Sequence, residues 1–303
     1  TYDNKIFMRG LIEFTNYCKN NCYYCGIRAS NKNCERYRLS KKQILDTCEY
    51  GYKIGFRSFV LQGGEDNFFS DEIMIDIIHD IKQNYPDCAL TLSIGEKSFE
   101  SFQSLYNAGA DRYLLRHETA NFEHFSKLHP NNMSAQNRYK TLYNLKEIGY
   151  QIGCGFMVGS PFQTAENLAD DMLFMHDLKP HMVGIGPFLP HKDTPFSKEK
   201  AGTAELTLFM IGLTRLMLKD SLIPATTALE TISNNSREKG ILAGANVIMI
   251  NISPQNFREK YSLYDNKFSQ NQSEEVYIKN LRETFANIGY DITFTRGDHI
   301  KSQ

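Results

Sequence analysis

Three cysteines stand within eight residues as Cys18-Lys-Asn-Asn-Cys22-Tyr-Tyr-Cys25, directly after an apolar stretch. Thiolates are soft ligands, and such close spacing suits zinc or an iron–sulfur cluster. The number three matters. A cubane of four irons held by three thiolates keeps one iron open, and an open iron is a place for chemistry rather than a staple. Zinc is the plainer reading, with Cys34 or a histidine completing the set. Structural zinc sites usually pair two Cys/His clusters, and no second Cys-x2-Cys or His-x3-His follows here. A disulfide framework fits less well still. Seven cysteines are an odd number, and a chain of 303 residues can bury a core without staples.

Such a loop needs a scaffold. Apolar runs rich in β-formers alternate with amphipathic helical patterns eight times along the chain. The expected strands are 7–14, 57–62, 89–95, 111–117, 151–158, 182–187, 222–227 and 245–250. Helical patterns fill 40–54, 70–84, 97–108, 134–148, 164–178, 203–220 and 236–243, with Ser40 placed as an N-cap. Strand–helix alternation implies a parallel sheet with right-handed crossovers, and eight units imply an α/β fold of the (β/α)8 TIM-barrel type. We expect the barrel over 1–264, with the cysteine loop at 15–28. A C-terminal appendage over 265–303 would hold a polar loop, a helix near 272–288 and a strand-like end at 290–295. Active sites of such barrels lie where strands run into loops. Polar residues gather there: Thr15, Gln62-Gly63-Gly64-Glu65-Asp66, Glu96, Arg116-His117-Glu118-Thr119, His191, Thr226-Thr227 and Asn251.

Composition bounds the function class. The chain is 41% hydrophobic and 23% charged with net charge −1, which argues against nucleic acid or a membrane surface as the main partner. No apolar run reaches the roughly 20 residues that span a bilayer, and no signal peptide is visible. Unpaired cysteines without an export signal point to the cytoplasm. A start at Thr1 rather than Met points to a longer natural chain.

The cysteine run, with Tyr24 before its last member and Gly63-Gly64-Glu65 after the second strand, resembles the radical S-adenosylmethionine (SAM) superfamily. Longer segments resemble its HydE group, maturases of FeFe-hydrogenase related to biotin synthase. They include Ile12-Glu-Phe-Thr-Asn-Tyr-Cys18, Val60-Leu-Gln-Gly-Gly-Glu-Asp66, 109–121, 182–188, 223–228 and 243–249. The resemblance implies the radical SAM fold and a 4Fe-4S cluster on Cys18, Cys22 and Cys25. The open iron would bind SAM, whose reductive cleavage gives a 5′-deoxyadenosyl radical. It further implies that Glu65 takes the methionine ammonium and Tyr24 lies near the adenine. Glu118 and Arg138 would hold SAM, with Arg138 forked on its carboxylate. Gln62, Gly63, Gly64, Met182 and Tyr261 would complete the cofactor set. Arg9, Thr91, Arg116, Thr226, Thr227 and Met249 would form a polar substrate pocket inside the barrel, which Met249 and Tyr261 close.

Plain structural roles compete for several of these residues. Glu65 could be a solvated loop acid, Tyr24 packing under the loop, and Arg138 a helix-surface cation. Arg116, placed inside the fourth strand, needs an anionic partner, and Glu118 could serve two residues on. Met249 could be barrel core. His117 reads as a structural histidine, and His191 is given no role. Cys34, Cys48, Cys88 and Cys154 read as buried small apolar residues.

Some family members carry a second cysteine cluster near the C-terminus, but no cysteine follows Cys154 here, so one cluster is expected. That also argues against biotin synthase, which needs a sulfur-donating cluster. The family also starts several dozen residues earlier, so a cover segment is expected to be missing. The implied substrate is a small iron species carrying cysteine, carbon monoxide and cyanide. Implied partners are a ferredoxin or flavodoxin as electron donor and the maturases HydG and HydF. Two alternatives stand: a methylornithine-synthase-like lysine mutase of the same chemistry, and a non-catalytic iron–sulfur binding or delivery protein.

Overall fold

The computed structural model describes residues 1–233, 235–268 and 272–302. The polar loop expected from 265 includes 269–271, which lie outside the described residues. Among the described residues ten strands form: β1 (Lys5–Thr15), β2 (Ser58–Gly63), β3 (Ala89–Ser93), β4 (Arg112–Leu114), β5 (Gln151–Cys154), β6 (Met157–Val158), β7 (Met182–Val183), β8 (Gly186–Pro187), β9 (Val247–Asn251) and β10 (Asp291–Thr293). All ladders are parallel, running β1-β2-β3-β4-β5-β7 in order, with β9 on the other side of β1.

The barrel closes through a segment that is barely a strand. Residues 222–225 bridge β7 at Met182↔Leu222 and β9 at Pro224↔Val247, with Leu222 N–H donating to His181 O at 2.8 Å and Ala225 N–H to Val247 O at 3.0 Å. The seventh strand expected at 222–227 is thus reduced to bridges. Pro224 has no N–H to give, so a full ladder cannot form. Thr226 already serves as N-cap of the helix Thr227–Ile232. The expected strands 151–158 and 182–187 each break in two, and their outer halves, β6 and β8, pair with each other. The fourth strand stops at Leu114, which puts Arg116 on the rim loop and not inside the strand.

Strand alternation sorts the side chains. Ile6, Met8, Ile12 and Phe14 of β1 pack outward among the helices, while Arg9, Leu11 and Glu13 face the barrel interior. The helix Lys41–Lys53 shows why the outer ring forms where it does. Ser40 Oγ accepts from Gln43 N at 3.2 Å and Gln43 Oε1 accepts from Ser40 N at 2.8 Å, a reciprocal cap worth about 1 kcal/mol. Its buried face (Ile44, Thr47, Cys48, Gly51) then lies on the sheet. The C-terminal helix Glu274–Ala286 packs beside the barrel, and β10 adds to the lower edge of β1 with Lys5 opposite Asp291. The short helix Phe122–Leu128 had no counterpart in the sequence pattern. Among the described residues no helix is long and apolar enough to cross a membrane.

Candidate active site at the barrel mouth

β1 delivers the chain into the cysteine loop, and the loop is held from several sides. Asn16 Nδ2 donates to Glu35 O (2.8 Å) and Lys260 O (2.7 Å), while its Oδ1 accepts from Tyr37 N (2.8 Å). The Arg36 guanidinium gathers four carbonyls, those of Asn16, Ile27, Arg28 and Asn31. The glycine turn after β2 presses on the loop from below. A Cβ at Gly64 would lie 2.2 Å from Tyr17 O and 2.7 Å from Cys18 Cβ, so only glycine permits this approach. Lys19 N–H donates to Glu65 O at 2.9 Å and ties the two loops together.

Cys18, Cys22 and Cys25 are partly exposed, and their thiols lie close enough for each to act on the others' charge. Desolvation pushes Cys22 up to about 12 and Cys25 well above its ordinary value. Thiolates in such a place need a positive partner, and a metal centre is the partner that soft donors select. Among the described residues no group of Cys, His, Asp and Glu is drawn around a single ion. Three thiols on one loop are soft donors that suit an iron–sulfur cluster or zinc. Of the other cysteines, Cys48, Cys88 and Cys154 are buried and Cys34 is partly so.

A chain of charges runs along the rim. Glu65 Oε2 pairs with Lys19 Nζ at 3.1 Å and its Oε1 accepts from Glu96 N at 3.1 Å. Glu96 in turn accepts from Arg138 Nε and Asn137 Nδ2. Arg138 Nη1 donates to Arg116 O at 2.6 Å, and Arg116 Nη2 lies 3.0 Å from Glu118 Oε2. Arg138 is therefore no surface cation: it is 6% exposed. Burial alone pulls its pKa down, and the Glu96 carboxylate more than reverses this. Glu65 is no freely solvated acid either. Glu118 stands at φ 66°, a left-handed conformation uncommon outside glycine. His117, fully buried, donates from Nε2 to Asp171 at 3.2 Å and accepts Gly155 N at Nδ1 (3.3 Å), the structural role read from the sequence. His191 packs against Gly26, beside the last cysteine.

Other expected residues occupy three places. Tyr24 O–H donates to His129 Nε2 at 3.0 Å, because His129 Nδ1–H is spent on Phe125 O at 3.0 Å. Gln62 Nε2 reaches Tyr261 Oη at 3.4 Å across the mouth. Deeper down, Arg9, Thr91, Met182 and Met249 line an interior cavity of about 10 Å³, room for about one water. Arg9 Nη1 contacts Met182 Sδ at 2.9 Å, so Met182 lies beside Arg9 rather than at the cysteine loop. Arg9 Nε and Nη2 and Thr91 Oγ1 are buried without a hydrogen-bond partner. Burial and the neighbouring Arg112 hold Arg9 well below its ordinary pKa. Donors so buried and unsatisfied call for a hydrogen-bonding partner, and the cavity has room for about one water. Thr226 is spent on capping Leu229 N, while Thr227 lines a separate upper cavity with Glu13 and Met249.

Sequence reasoning missed four residues here. Arg112, and not Arg116, is the arginine inside β4; it is fully buried and reaches Ser58 Oγ (2.9 Å), Arg296 O and Asp298 (2.7 Å each) at the barrel floor. Glu13 accepts from Asn251 Nδ2 at 2.7 Å and from Lys267, and burial raises its pKa. A charged residue inside an apolar strand run was the available signal for both Arg112 and Glu13. Arg36 and Lys267 lie in loops and gave none.

Comparison with known proteins adds identity to geometry. The Radical SAM superfamily model matches residues 12–175. The chain is 47% identical over 264 residues to the FeFe hydrogenase maturase subunit HydE of Thermotoga maritima, covering 87% of this chain and 75% of that one. It is 29% identical over 283 residues to a 3-methylornithine synthase of Methanosarcina acetivorans, covering 92% and 79%. Among solved structures, methylornithine synthase superposes with a TM-score of 0.83 at 25% identity over 96% of this chain and 84% of that one. The hydrogenase maturase HydG superposes at 0.79 with 19% identity, over 97% and 66%, a likeness of fold.

Proposed function

Because the chain belongs to the radical SAM superfamily and, within it, to the HydE maturases of FeFe-hydrogenase, we propose that Cys18, Cys22 and Cys25 hold one 4Fe-4S cluster whose open iron takes SAM. The protein is an enzyme acting in hydrogenase maturation, and its family implies a 4Fe-4S cluster and SAM. When bound, this pair supplies one-electron cleavage of the sulfonium and a 5′-deoxyadenosyl radical. The chain's own residues bind, orient and exclude water. Arg138, braced by Glu96, offers its remaining N–H groups to the SAM carboxylate, and Glu118 and Tyr261 flank it. Glu65, already engaged by Lys19 and Glu96 N–H, gives the methionine ammonium a carboxylate to share. Tyr24 lies against the adenine side. The substrate is a small anionic iron complex carrying cysteine, carbon monoxide and cyanide, delivered by a companion maturase such as HydG or HydF, and a ferredoxin or flavodoxin supplies the electron.

One observation carries the reading: the cysteine loop, clamped by Gly64, stands over a barrel whose interior arginine has buried donors left unpaired. The lysine-mutase alternative rests on the lower identity of 29%, and a delivery protein gives no reason for the polar interior. We propose one cluster on the three loop cysteines, since no cysteine of this sequence follows Cys154. The test is anaerobic reconstitution followed by dithionite and SAM. About four irons per chain and release of 5′-deoxyadenosine support the reading. Iron near eight per chain would refute the single cluster, and absence of SAM cleavage would refute the chemistry.

A further inference from the structure

Residues 260–268 cross the barrel mouth as a strap. Lys260 O accepts from Asn16 Nδ2, and Leu263 O accepts from Gly26 N–H at 2.8 Å beside the last cysteine. Asp265 is held by Lys192 N–H (2.7 Å) and donates its own N–H to Pro190 O (3.1 Å); Phe268 N–H reaches Thr231 Oγ1 at 3.1 Å. Two side chains turn inward, those of Tyr261 and Lys267. Lys267 Nζ donates to Glu13 Oε1 and, at 3.0 Å, to Tyr261 O, and it lies 5.0 Å from the Tyr261 ring. Under the strap is a cavity of about 150 Å³ lined by Glu13, Thr227, Met249, Asn251, Lys267 and Tyr277.

The chemistry of this anchor differs from that of the others. The strap's Lys260–Glu35 pair lies at the surface, with the Glu35 side chain 73% exposed, whereas that of Glu13 is 2% exposed. A carboxylate on the interior face of a barrel strand costs desolvation that a leucine would avoid. A leucine there would seal the strap to the barrel by packing alone. A charge pair holds firmly while dry and gives way when water or a competing charge enters.

We propose that Glu13 is a positioning residue that latches the strap through Lys267, whose Nζ also holds the Tyr261 carbonyl, the strap opening to exchange ligands. The proposal builds on the functional reading only in taking this mouth as the entrance. Glu13→Gln keeps the shape and removes the charge. Hydrogen exchange at the amides of 261–268 should then quicken at least about tenfold. The KM for SAM should rise about tenfold while kcat changes less than about threefold, since retention and not chemistry is touched. Lys267→Met should act in the same direction. The double variant should exchange more slowly than either single one, because no lone buried charge remains. The proposal falls if the single variants exchange at the wild-type rate, if the two substitutions add, or if kcat drops as far as kcat/KM. Wild-type protein that cleaves no SAM would instead defeat the functional reading, and the exchange arm would still decide the latch.

Discussion

Replacing Asp298 by Asn tests what closes the barrel floor. Arg112 is fully buried, and Asp298 is the carboxylate that meets it, at 2.7 Å, with Arg9 close enough to repel it. Burial pushes Asp298 up, but the Arg296 hydrogen bond and the Arg112 charge outweigh this and hold it at about 2 against an ordinary 3.8. That difference corresponds to about 2 kcal/mol at 1.36 kcal/mol per tenfold. Coulomb's law gives about 4 kcal/mol for charges about 4 Å apart at an effective dielectric of about 20. Asn keeps an acceptor for Arg112, and Arg296 keeps Asp111 at 2.9 Å, so the lower figure should be nearer. We expect a loss of about 2–4 kcal/mol in urea unfolding and a melting temperature lower by about 5–10 °C. The pH dependence has a definite sign. The folded pKa is depressed, so the contribution is present above about 4 and lost as pH falls toward about 2. Wild type and variant should therefore converge in acid. A variant within about 0.5 kcal/mol of wild type at pH 7 would refute the claim that this carboxylate balances the buried arginine.

Three further outcomes follow from the site. Gly64→Ala drives a Cβ to 2.2 Å from Tyr17 O; it should cost about 1–3 kcal/mol and lower iron uptake on reconstitution while circular dichroism stays native. Glu96→Gln removes the charge that braces Arg138; SAM binding, read by the shift it causes in the cluster's paramagnetic spectrum, should weaken about tenfold. Tyr24→Phe deletes the bond to His129; calorimetry should show a loss of about 1 kcal/mol with iron content unchanged.

The barrel was legible because its runs are long and its periods clean, from FMRGLIEF in β1 to ANVIMI before Asn251. Its irregularities were not. Pro224 stands in an apolar run that reads as a strand, yet its missing N–H leaves only bridges. The rim was legible in kind: Glu65, Glu118 and Arg138 do lie on one connected chain of charges. What escaped were partners chosen by distant folding. Glu13 and Lys267 are 254 residues apart in sequence, and Arg112 and Asp298 are 186 apart. Neither separation leaves a local pattern. The sequence also placed the interior arginine at 116 because the apolar run extends that far, while the ladder ends at Leu114.

The grip of Arg36 on four carbonyls has a consequence for the cysteine loop. In small metal-dependent domains the ion writes the shape, and chelators unfold the chain. Here one guanidinium from outside the cysteine motif also braces the loop, through those four carbonyls. The order of the loop therefore depends on a residue outside the cysteine motif, and one substitution at Arg36 would strand four carbonyls at once.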